Sequence, residues 1–157
     1  MAVRPRSRSQ SHIHADFCLE GGIEVKGLHI IADLYNCKKG ELLVSSRKLR
    51  DLCVNACNEV GLTVLGDHFY QFDGLDGGQD GGATGAVVLA ESHLAIHTWP
   101  ERSGATLDVY VCNFTADNTH KAESLFDKLV KALKPGDMMI ERVMRGRDLP
   151  AKQKRVA

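Results

Sequence analysis

Hydrophobic and polar positions along this chain follow two periods, and the points where the period changes divide it into elements. Residues 28–35, Leu-His-Ile-Ile-Ala-Asp-Leu-Tyr, are rich in β-branched and aromatic side chains and predict a first strand. Asn36 and the Lys38-Lys39-Gly40 cluster close it. From Leu49 the period lengthens: Leu49, Leu52, Cys53, Ala56, Cys57 and Val60 fall on one helical stripe. Ser45 or Ser46 is placed to cap that helix, and Gly61 to stop it. Residues 62–72 predict a second strand, and the Asp/Gly-rich stretch 73–82 a loop. Residues 83–97 predict a third strand and 106–114 a fourth, in which Leu107, Val109 and Val111 alternate with Asp108, Tyr110 and Cys112. A second helix starts near Asp117 or Thr119, carries Ala122, Leu125, Phe126, Leu129, Val130 and Leu133 on one stripe, and ends at Lys134-Pro135-Gly136. Residues 138–143 predict a last strand. The pattern predicts the α+β class: a two-layer α/β sandwich, its sheet mainly antiparallel, with two helices on one face. The matched helices also suggest a βαβ-like duplication.

Length and charge narrow this further. At 157 residues and 43% hydrophobic, the chain suits one domain with a real core. Lys and Arg number 20 and Asp and Glu number 20, so no basic excess points to nucleic acid. Arg4, Arg6 and Arg8 sit in a head, residues 1–24, that reads as disordered and basic. Lys152, Lys154 and Arg155 sit in a tail, residues 149–157, that reads as flexible, which leaves 25–148 as the folded domain. No stretch is long and apolar enough to span a bilayer, and the head lacks the apolar core of a secretory signal. The cysteines, Cys18, Cys37, Cys53, Cys57 and Cys112, are odd in number and lack paired CxxC spacing. That argues against a disulfide framework or a zinc ribbon and for a reducing cytoplasm.

Chemistry concentrates in residues 90–101, Ala-Glu-Ser-His-Leu-Ala-Ile-His-Thr-Trp-Pro-Glu. Buried strands seldom hold so many ionisable groups without a task. Ser92 lacks the Gly-x-Ser-x-Gly elbow of a hydrolase. His93 and His97 share a face on either a helix or a strand, but Glu91 lies outside the pair, which breaks the metalloprotease order. A base serving a neighbouring residue is the better use of at least one of them. Cys112 falls in the polar alternation class of its strand, where a thiol can exchange a proton, whereas Cys53 and Cys57 lie on an apolar helix face. The loop 73–82 lacks the closing Gly-Lys-Ser/Thr of a phosphate loop and the acidic spacing of an EF-hand. It reads as a solvated hairpin loop or as a cation-attracting lid.

These residues resemble a known family. Segment 90–101 is similar to the self-cleavage segment of prokaryotic S-adenosylmethionine decarboxylases, which are pyruvoyl-dependent and self-processing. The first strand (27–37), Gly85-Ala86-Val87-Val88-Leu89, Leu107-Asp108-Val109, Cys112 and the closing Arg145-Gly146-Arg147 extend the resemblance over residues 27–147. It implies that Ser92 Oγ attacks the Glu91 carbonyl and that the chain divides between 91 and 92 into a β chain, 1–91, and an α chain, 92–157. Ser92 then becomes a pyruvoyl group that forms a Schiff base with the substrate amine, with neither metal nor pyridoxal phosphate. His97 resembles the processing base, Thr84 stands where the family usually carries a supporting serine, and Cys112 resembles the proton donor. Phe72 and Glu101 match positions that hold the adenosyl group. The family also implies a homodimer of αβ protomers acting on a small amino-acid-type substrate, with no membrane or nucleic-acid partner.

The chain departs from the family at Tyr70-Gln71-Phe72, where His-Arg-Phe is usual, and at the longer Asp/Gly loop. Asp73, Asp76 and Asp80 would suit a substrate with a second cation, so ornithine and arginine stand as alternative substrates. A third reading is a non-catalytic anion-binding module that uses the Arg-rich head.

Overall fold

The computed structural model describes residues 26–74, 77, 81–114 and 116–146. The basic head, the tail and most of the acidic part of the loop 73–82 lie outside the described residues, as does Cys18. In chain order the elements are β1 (Gly27–Tyr35), α1 (Gly40–Leu43), α2 (Ser46–Glu59), β2 (Val64–Gln71), β3 (Ala83–Leu89), β4 (Ser92–Trp99), β5 (Gly104–Cys112), α3 (Thr119–Leu133) and β6 (Asp137–Arg145). A short 3-10 turn, Pro100–Arg102, links β4 to β5.

The strands form one six-stranded sheet in the order β2-β3-β4-β5-β1-β6. Each neighbouring pair is antiparallel, so the suggested βαβ duplication is not formed. The helices cover one face. Leu49 and Cys53 of α2 and Leu125 and Leu129 of α3 meet Ile30, Leu34, Val87, Leu94, Ile96, Leu107 and Val109 of the sheet in a single core. Burying each such aliphatic side chain contributes roughly 1.5–3 kcal/mol relative to exposure. Ser45 caps α2 as the sequence suggested, its Oγ accepting from the Lys48 amide at 3.3 Å. Cys53 and Cys57 lie in this core, and burial lifts both thiols, Cys57 to about 11. They are packing residues at neutral pH.

One expectation fails at the place that matters most. Residues 83–97 do not make a single strand. The chain reverses at Ala90-Glu91, so β3 and β4 form a hairpin in which Leu89 pairs with Ser92 and Thr84 with His97. No Gly, Asn or Pro marks the turn. Glu91 instead takes a left-handed backbone conformation, φ 63°, and the Ala90 amide donates to the Thr63 carbonyl at 3.0 Å. A glutamate in that region costs about 1–2 kcal/mol. The short α1 was likewise not anticipated, since Gly40 reads as a terminator and here begins a helical turn.

Candidate active site

The hairpin divides the candidate residues between two ends of the sheet. At the turn end, Ser92 begins β4 directly after Glu91. Its Oγ accepts a hydrogen bond from the Cys112 amide at 3.0 Å. The end of β5 is fixed to the start of α3. Asn118 Nδ2 donates to the Cys112 carbonyl at 3.3 Å, the Asn118 amide donates to Asn113 Oδ1 at 2.8 Å, and Asn113 Nδ2 donates to Thr119 Oγ1 at 3.0 Å. Nearby, the Asn113 amide donates to the Lys26 carbonyl at 2.7 Å. This network aims the Cys112 amide at Ser92. Glu91, Ser92 and Cys112 therefore belong to one cluster.

At the opposite end, Thr84 Oγ1 and His97 Nδ1 are hydrogen-bonded at 2.7 Å. Phe72 follows β2 there, its amide donating to the Gly82 carbonyl at 2.9 Å and its ring edge-on to Tyr70 at 5.0 Å. Trp99 lies 6.1 Å from the His97 ring, and Glu101 follows in the 3-10 turn. Gln71 braces this end: its Nε2 donates to the Gly81 and Gly82 carbonyls, and its Oε1 accepts from the Ser46 amide. Thr84 and His97 are thus in contact, Phe72 and Glu101 lie toward the same end of the sheet, and this end is remote from Ser92. His97 lies five residue steps along the strand from Ser92, about 16 Å at the usual rise.

Between the two ends, the sheet face that the helices leave open carries groups the sequence did not single out as a set. His93 pairs with Tyr110, and Tyr110 with His29, across three adjacent strands. The rings lie close: 5.4 Å for His93 and Tyr110, 5.8 Å for His29 and Tyr110, and 6.0 Å for His29 and His93. His29 Nε2 donates to Asp108 Oδ1 at 3.1 Å, and the Arg145 guanidinium stands 4.8 Å above the centre of the Tyr110 ring. Gly27 permits this approach, since a Cβ there would lie 2.7 Å from Tyr110 Cε2. Partial burial, then His29 and Arg145, hold His93 below the ordinary imidazole range. Alternation had placed Asp108 and Tyr110 on the polar face, but only strand register brings His29, His93 and Arg145 beside them.

Known proteins resolve the class. The antiparallel α+β sheet places the chain with a group of decarboxylating lyases. The family model described as S-adenosylmethionine decarboxylase matches residues 28–146. An S-adenosylmethionine decarboxylase proenzyme of Picrophilus torridus is 39% identical over 120 residues, covering 76% of this chain and 84% of its own. That of Aquifex aeolicus is 41% identical over 109 residues, covering 69% and 73%. The crystal structure of adenosylmethionine decarboxylase from Aquifex aeolicus superposes with a TM-score of 0.68 at 36% identity, covering 80% of this chain and 95% of that one. This chain belongs to the S-adenosylmethionine decarboxylase family.

Proposed function

We propose that the chain is a self-processing proenzyme that decarboxylates S-adenosylmethionine, supplying the decarboxylated product for spermidine biosynthesis. The relatives' names favour this substrate over ornithine or arginine. The observation that carries the self-processing reading is the Glu91-Ser92 junction: a left-handed glutamate immediately precedes a serine whose Oγ is held by a backbone amide. The hydrogen bond restricts the Ser92 rotamer, and cleavage at this peptide releases the Glu91 strain. Ser92 Oγ attacks the Glu91 carbonyl and displaces the Ser92 nitrogen, so the peptide bond becomes an ester. A base then removes the Ser92 α-proton and the Cβ–Oγ bond breaks, releasing Glu91 as a carboxylate. The elimination leaves dehydroalanine at residue 92, and its imine tautomer takes up water and releases ammonia to become the amino-terminal pyruvoyl group.

Ser92 and its surroundings fit such a group, being at a rim, half-buried and beside the Cys112 amide donor. When formed, the pyruvoyl carbonyl supplies the electron acceptor for loss of CO2. Cys112 is the proton donor to the carbon that CO2 leaves. Phe72, exposed and edge-on to Tyr70, offers a ring face to adenine, and Glu101 offers a carboxylate to ribose hydroxyls.

His97 is the processing base and Thr84 its support, acting on the partner's Ser92 in a homodimer. Two features support this. Within one chain the two clusters lie at opposite ends of the sheet. The open face also exposes Ile31, Tyr70, Val88, Met139 and Val143, between 40% and 67%, a patch that suits a second copy. A two-fold axis lying between facing sheets, across the strands, sets each Ser92 end over the partner's His97 end and makes two equal sites. We place the enzyme in the cytoplasm, where the buried free thiols of the described residues, Cys37, Cys53, Cys57 and Cys112, remain reduced. Release of labelled CO2 from S-adenosylmethionine, ornithine and arginine, run side by side, tests the substrate. Intact mass of the purified protein tests the cleavage. S-adenosylmethionine is expected to be the substrate, with two chains joining at 91/92, and an uncut, fully folded single species rejects the reading.

A further inference from the structure

Proton donation by Cys112 raises a question of charge. As the thiol gives its proton, the S–H bond breaks and the substrate carbon's electron pair becomes the new C–H bond. A thiolate remains until solvent returns a proton to sulfur. Cys112 is only 5% exposed, and a buried anion needs a hydrogen-bond donor. The thiol's own contact is the Lys26 carbonyl at a long 3.9 Å, and a carbonyl has nothing to donate.

Tyr110 is the neighbour equipped for this. It lies two positions before Cys112 on the same side of β5. Its ring is held by Gly27 beneath, His29 and His93 at its edges, and Arg145 above. We propose that Tyr110 is a positioning residue for decarboxylation: its phenol hydroxyl keeps the Cys112 sulfur aimed at the rim and donates a hydrogen bond to the thiolate as it forms. The assignment rests on the reading of Cys112 as proton donor. Burial first, and then the adjacent Cys112 thiol, hold the Tyr110 phenol above its ordinary value, so it keeps its proton at neutral pH. Among the described residues, the other charged or titratable groups facing the pair include His29, His93, Asp108 and Arg145, from β1, β4, β5 and β6. Asp108 is engaged by His29. Tyr110 therefore supplies the hydroxyl nearest to hand along the strand.

The test uses Tyr110→Phe, which keeps the ring and removes one oxygen, alongside Cys112→Ala and the double variant, each as the full chain. Tyr110→Phe is expected to divide fully at 91/92 and to melt as the parent does. Its kcat should fall about ten-fold with KM unchanged, the size expected for losing a hydrogen bond to a charged group. The solvent deuterium isotope effect on kcat should grow, because proton delivery becomes slower. In the Cys112→Ala background the same change should have less than about a two-fold effect, since the two residues act as one unit. An unchanged kcat and isotope effect overturns the proposal. So does an equal loss in the Cys112→Ala background, an uncut chain, or a fallen melting temperature, which would make the hydroxyl a processing or packing group. Full turnover by Cys112→Ala alone has a different meaning: it removes Cys112 as the donor, and the role of Tyr110 with it.

Discussion

Along β5, Leu107, Val109 and Val111 point into the helices and are fully buried, while Asp108 and Tyr110, the residues between them, point away and meet His29, His93 and Arg145. The same alternation runs through β1, where Ile30, Ala32 and Leu34 are buried and Ile31 and Tyr35 are exposed. One backbone thus carries two unlike surfaces. The covered face is uniformly apolar and holds the fold together. The open face mixes imidazoles, a phenol, a carboxylate and exposed aliphatics, a composition poor for stability alone. Because the period of a strand is two, side chains on one face can change without touching the other. The two faces should therefore fail in different ways.

The largest effect is expected at the rim. Ser92→Ala removes the attacking oxygen, so the chain should remain whole and release no CO2, while its melting temperature stays close to that of the unprocessed parent. A denaturing gel and intact mass read the first, and a thermal scan the second. Normal cleavage would remove Ser92 as the source of the new terminus. Leu107→Ala, on the covered face, should do the reverse. It leaves a cavity under α3 and should cost about 2–5 kcal/mol in denaturant unfolding. Cleavage at 91/92 should still proceed below the melting point. If Leu107→Ala abolished cleavage while leaving stability intact, the separation of the faces would be wrong.

A third experiment sharpens the contrast between the two ends of the open face. Ser92→Ala and His97→Ala chains, each expected to stay uncut alone, are co-expressed with different tags. In a mixed dimer the Ser92→Ala chain lends its His97 to the Ser92 of its partner. The His97→Ala chain should then be cut and the Ser92→Ala chain should not, restoring about one site in two. No cutting of either chain, with mixed dimers recovered on both tags, would show that Ser92 and His97 must lie in the same chain.

Much of the covered face was legible in the sequence. The stripe from Leu49 to Cys57 and that from Ala122 to Leu133 appear as α2 and α3, because a 3.6-residue period has one burial solution in a two-layer domain. The alternation of β5 put Asp108 and Tyr110 on the side away from its apolar residues, whereas Cys112, at the end of the strand, is buried. The hairpin was hidden because its turn uses Ala90 and a left-handed Glu91, and composition cannot report a strained backbone. Within the site, the local motif pointed to Ser92, His97 and Cys112 as candidates. It did not reveal that Ser92 and Cys112 share one end while His97 and Thr84 share the other, which depends on where the chain reverses. The row His93, Tyr110, His29 was out of reach for a similar reason: its members come from β4, β5 and β1, and only register aligns them.

The smallest effect should be a pH slope that belongs to the open face. Folding partly buries His93 and sets it near His29 and Arg145, which lowers its proton affinity below that of the unfolded chain. Above the unfolded imidazole value, about 6.5, neither state holds this proton and the full stability is present. As pH falls through that value the unfolded chain takes up a proton that the folded chain resists, so stability declines toward the lower folded value. His93→Gln removes this titration while keeping a polar side chain of similar reach. Denaturant unfolding at fixed protein concentration, from about pH 7.5 to about pH 5.5, should show a shallower decline for His93→Gln than for the parent, since the remaining groups titrate alike in both. The same comparison with Leu107→Ala should displace the whole curve and leave its slope unchanged. Parallel curves for the parent and His93→Gln would mean that the open face carries no such penalty, and that the two faces differ in chemistry but not in how they respond to protons.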